Sequence, residues 1–518
     1  MAAKRKLPTG IQTFRTLREE GCYYVDKTGY ALRLAQDGAH YFLSRPRRFG
    51  KSLFLDTLKE LFEGSEELFR GLAVHQHWDW SVRHPVLRFS FAGGSYKAAG
   101  ALERNLDEQL QGFERHIDAT SGASTQSGRF RWLLRELHER TSQRAIVLVD
   151  EYDKPILDAI DAPEVAEDNR DLLRSFYGTV KDADAHVRFS FFTGVSKFSK
   201  VSVFSDLNNL TDLTLHPRYS SICGYTDADL DGVFAPEIEG LDRQAIRRWY
   251  NGYCWLGDEK VYNPFDVLLL FEQRRFRAHW FETGTPAFLI EKLLERGVSA
   301  ASLDGMIVTD SLLSTFDVHR MPTATLLFQT GYLTIAEAID DDDEPRYRLT
   351  YPNHEVRQSF NRSLLQAMTP ETTDRLMQSG DLRRLLQGND FQSLRTLLES
   401  FFSSIPYNWH VNNNIADYEG YYASLFYTCF MASGLDVRTE DASASGRLDM
   451  ALLFNSHVYL FEFKVQKGKA QGAALAQLRD RGYHQKYRHL NQPIYLIGVE
   501  FSAESRNLIG FDVEHAPA

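Results

Sequence analysis

Hydrophobic positions along the chain follow two rhythms. In the first two hundred residues, His40–Leu43, Val86–Phe91, Ile146–Val149 and Arg188–Phe192 are short runs rich in aromatic and β-branched side chains, and they read as strands. Between them lie longer stretches of helical periodicity, including Ser52–Phe62 and Ala101–Ile117. Strands alternating with helices predict βαβ units and a mainly parallel sheet. The polar stretch Ser121–Gly128 reads as a surface loop. From about Gly224 the pattern becomes mostly helical. Farther on, helical Leu312–Phe316 and Thr323–Thr330 precede two short strands, Tyr332–Ala336 and Tyr347–Leu349, which flank the acidic run Asp340–Glu344. Two helices and a hairpin predict a winged helix; its acidic tip reads as a solvated turn that repels phosphates. Leu382–Phe402 is a helical connector. A last α/β unit follows: helix Tyr418–Ser433, strands Leu448–Phe454 and Val458–Phe463, helix Ala470–Tyr487 and strand Ile494–Val499.

At 518 residues the chain exceeds one ordinary core, and two to four domains are expected. The pattern divides it at 1–222 (the βα-rich part), 223–302 (mostly helical), 303–362 (the winged helix), 363–412 (the connector) and 413–518 (the last α/β unit). A net charge of −11 excludes a surface that grips nucleic acid everywhere, so any such contact is local. Cys22, Cys223, Cys254 and Cys429 lie far apart without a CxxC pair, which favours reduced thiols over a zinc knuckle or disulfide framework. No apolar segment follows the basic residues of MAAKRKLPTG, and no run is long enough to span a bilayer. The expectation is a cytoplasmic protein with no membrane partner.

Two stretches carry chemistry. Phe42–Ser52 follows a strand and opens a helix, the context in which backbone N–H groups meet phosphates. Arg47, Arg48, Phe49, Gly50, Lys51, Ser52 and Leu53 form the expected nucleotide-binding set: Lys51 reaches the β- and γ-phosphates, the Ser52 hydroxyl helps hold Mg²⁺, and Arg47 and Arg48 either meet phosphate or are exposed loop arginines. Arg45 stands where a full Walker A motif has its first glycine. Ala145–Glu151 is an apolar strand ending in two carboxylates; Asp150 would hold Mg²⁺ and Glu151 would act as general base toward water. A further strand ends in Thr193–Ser196, where a polar side chain could sense the γ-phosphate or simply form a turn. Tyr24 and Asp26 are candidates for shaping the pocket.

The second stretch is Gly446-Arg-Leu-Asp449 followed by Tyr459-Leu-Phe-Glu-Phe-Lys464. Strand alternation puts Glu462 and Lys464 on one face. Asp449 and Glu462 converging on a divalent cation, with Lys464 beside the attacking water and Glu419 as a third carboxylate, suit phosphodiester hydrolysis. Gln477 and Tyr483 lie downstream among Lys467, Lys469, Arg479, Arg481, Lys486 and Arg488, a local positive density for a nucleic-acid backbone. His75 and His77 alternate but have no third ligand nearby and read as an exposed strand or turn.

The chain resembles bacterial AAA-ATPase-like proteins that are often fused to a nuclease-superfamily tail. Gly10-Ile-Gln, Tyr24–Thr28, Ser44–Ser52, Val149–Pro155, Phe192–Ser196, Trp249–Tyr253 and Tyr262–Phe265 carry the resemblance, which also accounts for Arg45. It implies an ATPase core of the additional-strand type, a helical lid and a winged helix. The C-terminal unit resembles the PD-(D/E)XK nuclease superfamily, with Glu419 as the helical acid, Asp449 and Glu462 as core acids, Lys464 as the motif lysine, and Gln477 and Tyr483 as the Gln-x5-Tyr pair. Leu448 stands where that family usually has proline. The expected cofactors are ATP and Mg²⁺, with Mn²⁺ possible at the nuclease site. The expected partner is nucleic acid, DNA ahead of RNA, and a homo-oligomer is possible. The function this implies is an ATPase regulating an attached nuclease. The alternative is a nucleotide-dependent sensor or scaffold whose nuclease fold only binds.

Overall fold

The computed structural model describes residues 4–197, 203–205, 207, 209–281, 287–296, 298, 300–314, 322–339, 344–368, 381–405, 419–443 and 446–516. They form two compact units, one of residues 1–280 with 305–353, the other of 281–304 with 354–518.

The first unit is built on five parallel strands: β1 (His40–Ser44), β2 (Val86–Ser90), β3 (Ala145–Asp150), β4 (Val187–Gly194) and the short β5 (Thr211–Asp212), in the order β2-β3-β4-β1-β5. β1 and β3 are buried along their whole length, as parallel strands covered on both faces must be. Insertion of β4 between β1 and β3 is the additional-strand order, and it sets the ends of all three side by side. Phe89, Phe130 and Phe176 pack at centroid distances of 4.7 to 5.1 Å and join the sheet to the helices beyond it. The loop expected over Ser121–Gly128 is shorter than its polarity suggested. Thr125 caps a helix that begins at Gln126, its hydroxyl accepting from the Gly128 amide.

Farther along this unit lie a small hairpin, β6 (Asn251–Tyr253) and β7 (Val261–Tyr262), and a three-stranded sheet, β8 (Ile307–Thr309), β9 (Thr334–Ile339) and β10 (Arg346–Thr350), in the order β8-β10-β9. Helices Asp310–Ser314 and Thr323–Thr330 separate β8 from β9. Most of the acidic tip, 340–343, lies outside the described residues, as do residues 315 and 316 of the first expected helix. His75 and His77 lie in a single helical turn.

The second unit holds β11 (Val437–Ser443), β12 (Gly446–Phe454), β13 (His457–Gln466), β14 (Ile494–Ser502) and β15 (Leu508–His515), in that spatial order; only β13 and β14 run parallel. The edge strands β11 and β15 carry few long apolar runs, which is why hydrophobicity alone did not reveal them. One face is covered by helix Glu419–Ala432, with Phe426 packed on Phe463 at 4.9 Å. The other is covered by helix Ala473–Arg481, whose Leu475 and Leu478 pack with Leu460 and Leu496. Two expected helices are broken. The connector becomes Asp381–Gln387 and Phe391–Ser403, the second capped by Asp390. The stretch expected as helix Ala470–Tyr487 stops at Gly482, whose φ of +59° ends it, and Tyr483 begins a separate turn.

Candidate active sites

The first site lies where β1, β3 and β4 end. After β1 the chain crosses Arg45–Phe49 and enters helix Lys51–Phe62 through Gly50, whose φ of +89° suits a residue without a Cβ. Lys51 is buried, and its ammonium donates to the carbonyls of Arg45 and Pro46, 2.9 Å each, so it closes the loop on itself. Burial lowers its pKa, against the opposing pull of Asp150 and Glu151. Ser52 and Leu53 open the helix, half-buried.

Arg45 is fully buried, and its guanidinium turns away from the loop. It donates to the carbonyls of Ser44 (2.8 Å), Thr214 (2.9 Å) and Tyr219 (3.2 Å) and lies 4.0 Å over the Trp255 ring. The side chain in the glycine position is therefore a strut beneath the loop. Phe49 packs edge-on against Tyr253 and Trp255. Arg48, at φ +69°, places its guanidinium 4.7 Å over Phe265, while Arg47 is exposed and its carbonyl accepts from the Trp280 indole at 3.1 Å. The separated sequence stretches Ser44–Ser52, Trp249–Tyr253 and Tyr262–Phe265 thus meet around one loop.

Asp150 ends β3, buried. Its Oδ2 lies 3.7 Å from the Arg88 guanidinium, which also donates to Asp56 at 2.6 Å; its Oδ1 is buried with no hydrogen-bond partner among the described residues. An orphaned carboxylate oxygen facing a buried lysine fits a site for a divalent cation with its nucleotide. Glu151 follows at φ +53°, and burial raises its pKa, which suits a group that takes a proton. Thr193 and Ser196 are committed elsewhere: Thr193 donates to the Leu43 carbonyl at 2.9 Å, and the Ser196 amide donates to Asp153 at 2.6 Å. Asp26 binds the Thr28 and Ala73 amides, 2.9 and 2.7 Å, and Tyr24 packs edge-on against Phe14. Arg188 donates to the Ala35 carbonyl at 2.8 Å, and Arg218 is exposed. Sequence reasoning did not assign Arg88 or Asp153; Asp153 lay inside a quoted motif, whereas Arg88 has no local signal.

The second site lies across β12 and β13. Asp449 is one step beyond the registered pair Met450 and Phe461, opposite Glu462, and its carboxylate accepts from the Phe463 amide at 2.8 Å. Lys464 donates to Glu419 at 3.0 Å and lies 3.9 Å from Glu462. The Gln477 amide donates to Glu462 Oε1, while Oε2 is buried with no partner among the described residues. Burial, then the charge of Asp449, pushes the Glu462 carboxyl up to about 8. Burial alone would lower Lys464, but its bond to Glu419 and that charge raise it. The Tyr483 hydroxyl donates to the Arg447 carbonyl at 3.0 Å. Among the described residues no group of three His, Cys, Asp or Glu side chains forms a ready cage, and Glu419 is bonded to Lys464. Asp449 and Glu462 fit a cation nonetheless: Glu462 keeps a buried oxygen with no hydrogen-bond partner among the described residues, opposite Asp449 across the strand pair. Of the basic residues, Arg479 pairs with Glu514, while Lys467 and Lys469 are exposed.

A parallel sheet with a phosphate loop, and a mixed sheet with an acid-lysine site, define a two-part α/β protein. A family model described as a predicted AAA-ATPase matches residues 8–204, and one described as the PD-(D/E)XK nuclease superfamily matches residues 417–511. The chain belongs to a family that joins these two domains. Over nearly its full length it is similar to a protein of Azotobacter chroococcum mcd 1 described as an uncharacterized protein in the vnfD 5' region, 56% identical over 513 residues and covering 99% of each chain. No described helix is long and apolar enough to cross a membrane.

Proposed function

We propose that this protein binds and hydrolyses ATP and that its nucleotide state regulates an attached Mg²⁺-dependent nuclease acting on DNA or RNA. The observation that carries the nuclease reading is the buried, unpartnered oxygen of Glu462 beside Asp449 and Lys464. Asp449 and Glu462 would hold the cation, Mg²⁺ or Mn²⁺, with Glu419 joining once released from Lys464. Bound there, a divalent cation supplies Lewis-acid activation of water and neutralises charge at the phosphodiester. Lys464 offers N–H donors to the charge that develops on the scissile phosphate. In the first site, Lys51 would exchange the loop carbonyls for phosphate oxygens, Ser52 and Asp150 would hold Mg²⁺, and Glu151 would take a proton from the attacking water. Residues 303–362, with a helix pair followed by a hairpin, are read as a winged helix, and self-association belongs to the same proposal.

The test is cleavage of a mixed DNA and RNA panel with Mg²⁺ or Mn²⁺, with and without ATP, by wild type and Asp449→Ala. Metal-dependent cleavage that the substitution abolishes, and that ATP changes, is expected. Binding without cleavage under every nucleotide condition would replace this reading by the sensor or scaffold.

A further inference from the structure

The second site depends on how helix Ala473–Arg481 is seated, because that helix carries Gln477 to Glu462. Two residues of β14 seat it. Glu500 is completely buried on the face that also carries Glu462 and Lys464, since β13 and β14 pair Glu462 with Gly498 and Lys464 with Glu500. Its carboxylate does not point toward the acids. It accepts from the amides of Gln471 and Ala473, 2.6 Å each, and of Ala474 at 3.3 Å, which ties down the otherwise unpaired N–H groups of Ala473 and Ala474 in the first turn and of the residue ahead of the N-cap. A negative charge at that end also matches the helix dipole. One pair earlier, Gly498 lets the helix backbone approach: a Cβ there would lie 2.4 Å from the Leu475 amide nitrogen. The cap and the close approach set the height and rotation of the helix, and Gln477 follows one turn later. Its amide then occupies Glu462 Oε1 and leaves Oε2 for another partner.

We propose that Glu500 is a positioning residue for the metal site, acting through the seated helix and Gln477 to orient the Glu462 carboxylate. The inference rests on the nuclease reading of that site. Glu500→Gln keeps the size of the side chain but leaves it one acceptor oxygen for amides that now use two, so at least one donor loses its partner. Gly498→Ala displaces the same helix without touching its cap. Outer-shell partners of metal ligands are commonly worth about 10- to 100-fold in metal affinity, and a loss of roughly tenfold is expected from either change.

The experiment is Mn²⁺ titration of the full chain without nucleotide, counting as site-specific the binding that Asp449→Ala removes. Circular dichroism shows which variants are folded. Glu500→Gln and Gly498→Ala should each weaken that binding about tenfold. The decisive comparison is Glu500→Gln/Gln477→Ala: if Glu500 acts through Gln477, the double variant binds as Gln477→Ala alone does, whereas a general structural role gives additive losses. Wild-type affinity in a folded Glu500→Gln, or additivity in the double variant, overturns the proposal alone. Absence of any Asp449-dependent Mn²⁺ binding in the wild type overturns the nuclease reading and this inference with it.

Discussion

Arg45 and Glu462 show how far one side chain's meaning depends on what surrounds it. By sequence, Arg45 is an irregularity in a phosphate loop; in the fold it is a buried strut bonded to backbone carbonyls and stacked on Trp255. Burial lowers its pKa only to about 10, so it stays charged at neutral pH. Glu462 is the opposite case, a carboxyl raised to about 8, first by burial. Because the folded state then holds a proton that the unfolded chain releases near its ordinary value of 4.5, this contribution to stability is full below that value and is lost as pH climbs through 8. In metal-free buffer, Glu462→Gln should therefore gain on wild type between about pH 5 and pH 9, by on the order of 3 kcal/mol, with the gap narrowing when Mn²⁺ is added. Thermal melts across that range measure it, and parallel profiles for the two proteins would refute it.

Among elements, the ends of β1, β3 and β4 are fastened to one another. Asp153, just past β3, accepts from the amides of Val195 and Ser196, 3.0 and 2.6 Å, and the Arg45 amide donates to the Gly194 carbonyl at 3.2 Å. Asp153→Ala would leave the buried Ser196 amide and the partly buried Val195 amide without their acceptor, a loss of roughly 3 kcal/mol. Melting of the N-terminal unit should fall accordingly and ATP turnover with it; unchanged melting would show that the turn is held by other means. A second fastening runs from the loop to residues 305–353: Gly331, at φ +91°, has no room for a Cβ beside Pro46, and the Lys197 amide donates to Gln329 at 3.1 Å. Both the loop after β1 and the segment that follows β4 therefore touch the same short helix, Thr323–Thr330, and its cap.

On the scale of the whole molecule, the two sites are chemically independent sets of acids, lysines and backbone donors within one chain. Glu151→Gln should retain ATP binding while slowing turnover by about 100-fold or more, because it removes only the proton acceptor. Equilibrium binding of a fluorescent ATP analogue beside phosphate release measures both quantities, and equal loss of the two would assign Glu151 to binding instead. If ATP regulates cleavage, the same variant should hold cleavage at its ATP-bound level.

Much of this protein was legible along the chain because its signals are local. The four long strands of the first sheet, the helix opened by Gly50, the strand ending in Asp150 and Glu151, and the run carrying Glu462 and Lys464 depend on residues within about a dozen positions of one another. Hydrophobic period and turn chemistry report such arrangements directly. Tertiary structure alone decided the rest. The edge strands β11 and β15 exist because a neighbour pairs with them. Arg45 became a strut because carbonyls and a tryptophan distant in sequence close around it. Gln477 was expected at nucleic acid, yet the fold brings it to Glu462; Glu500 was not singled out at all, because its partners are amides on a helix more than twenty-five positions away. Backbone donors and packing distances leave no mark in composition or period, so roles that rest on them appear only once the chain has folded.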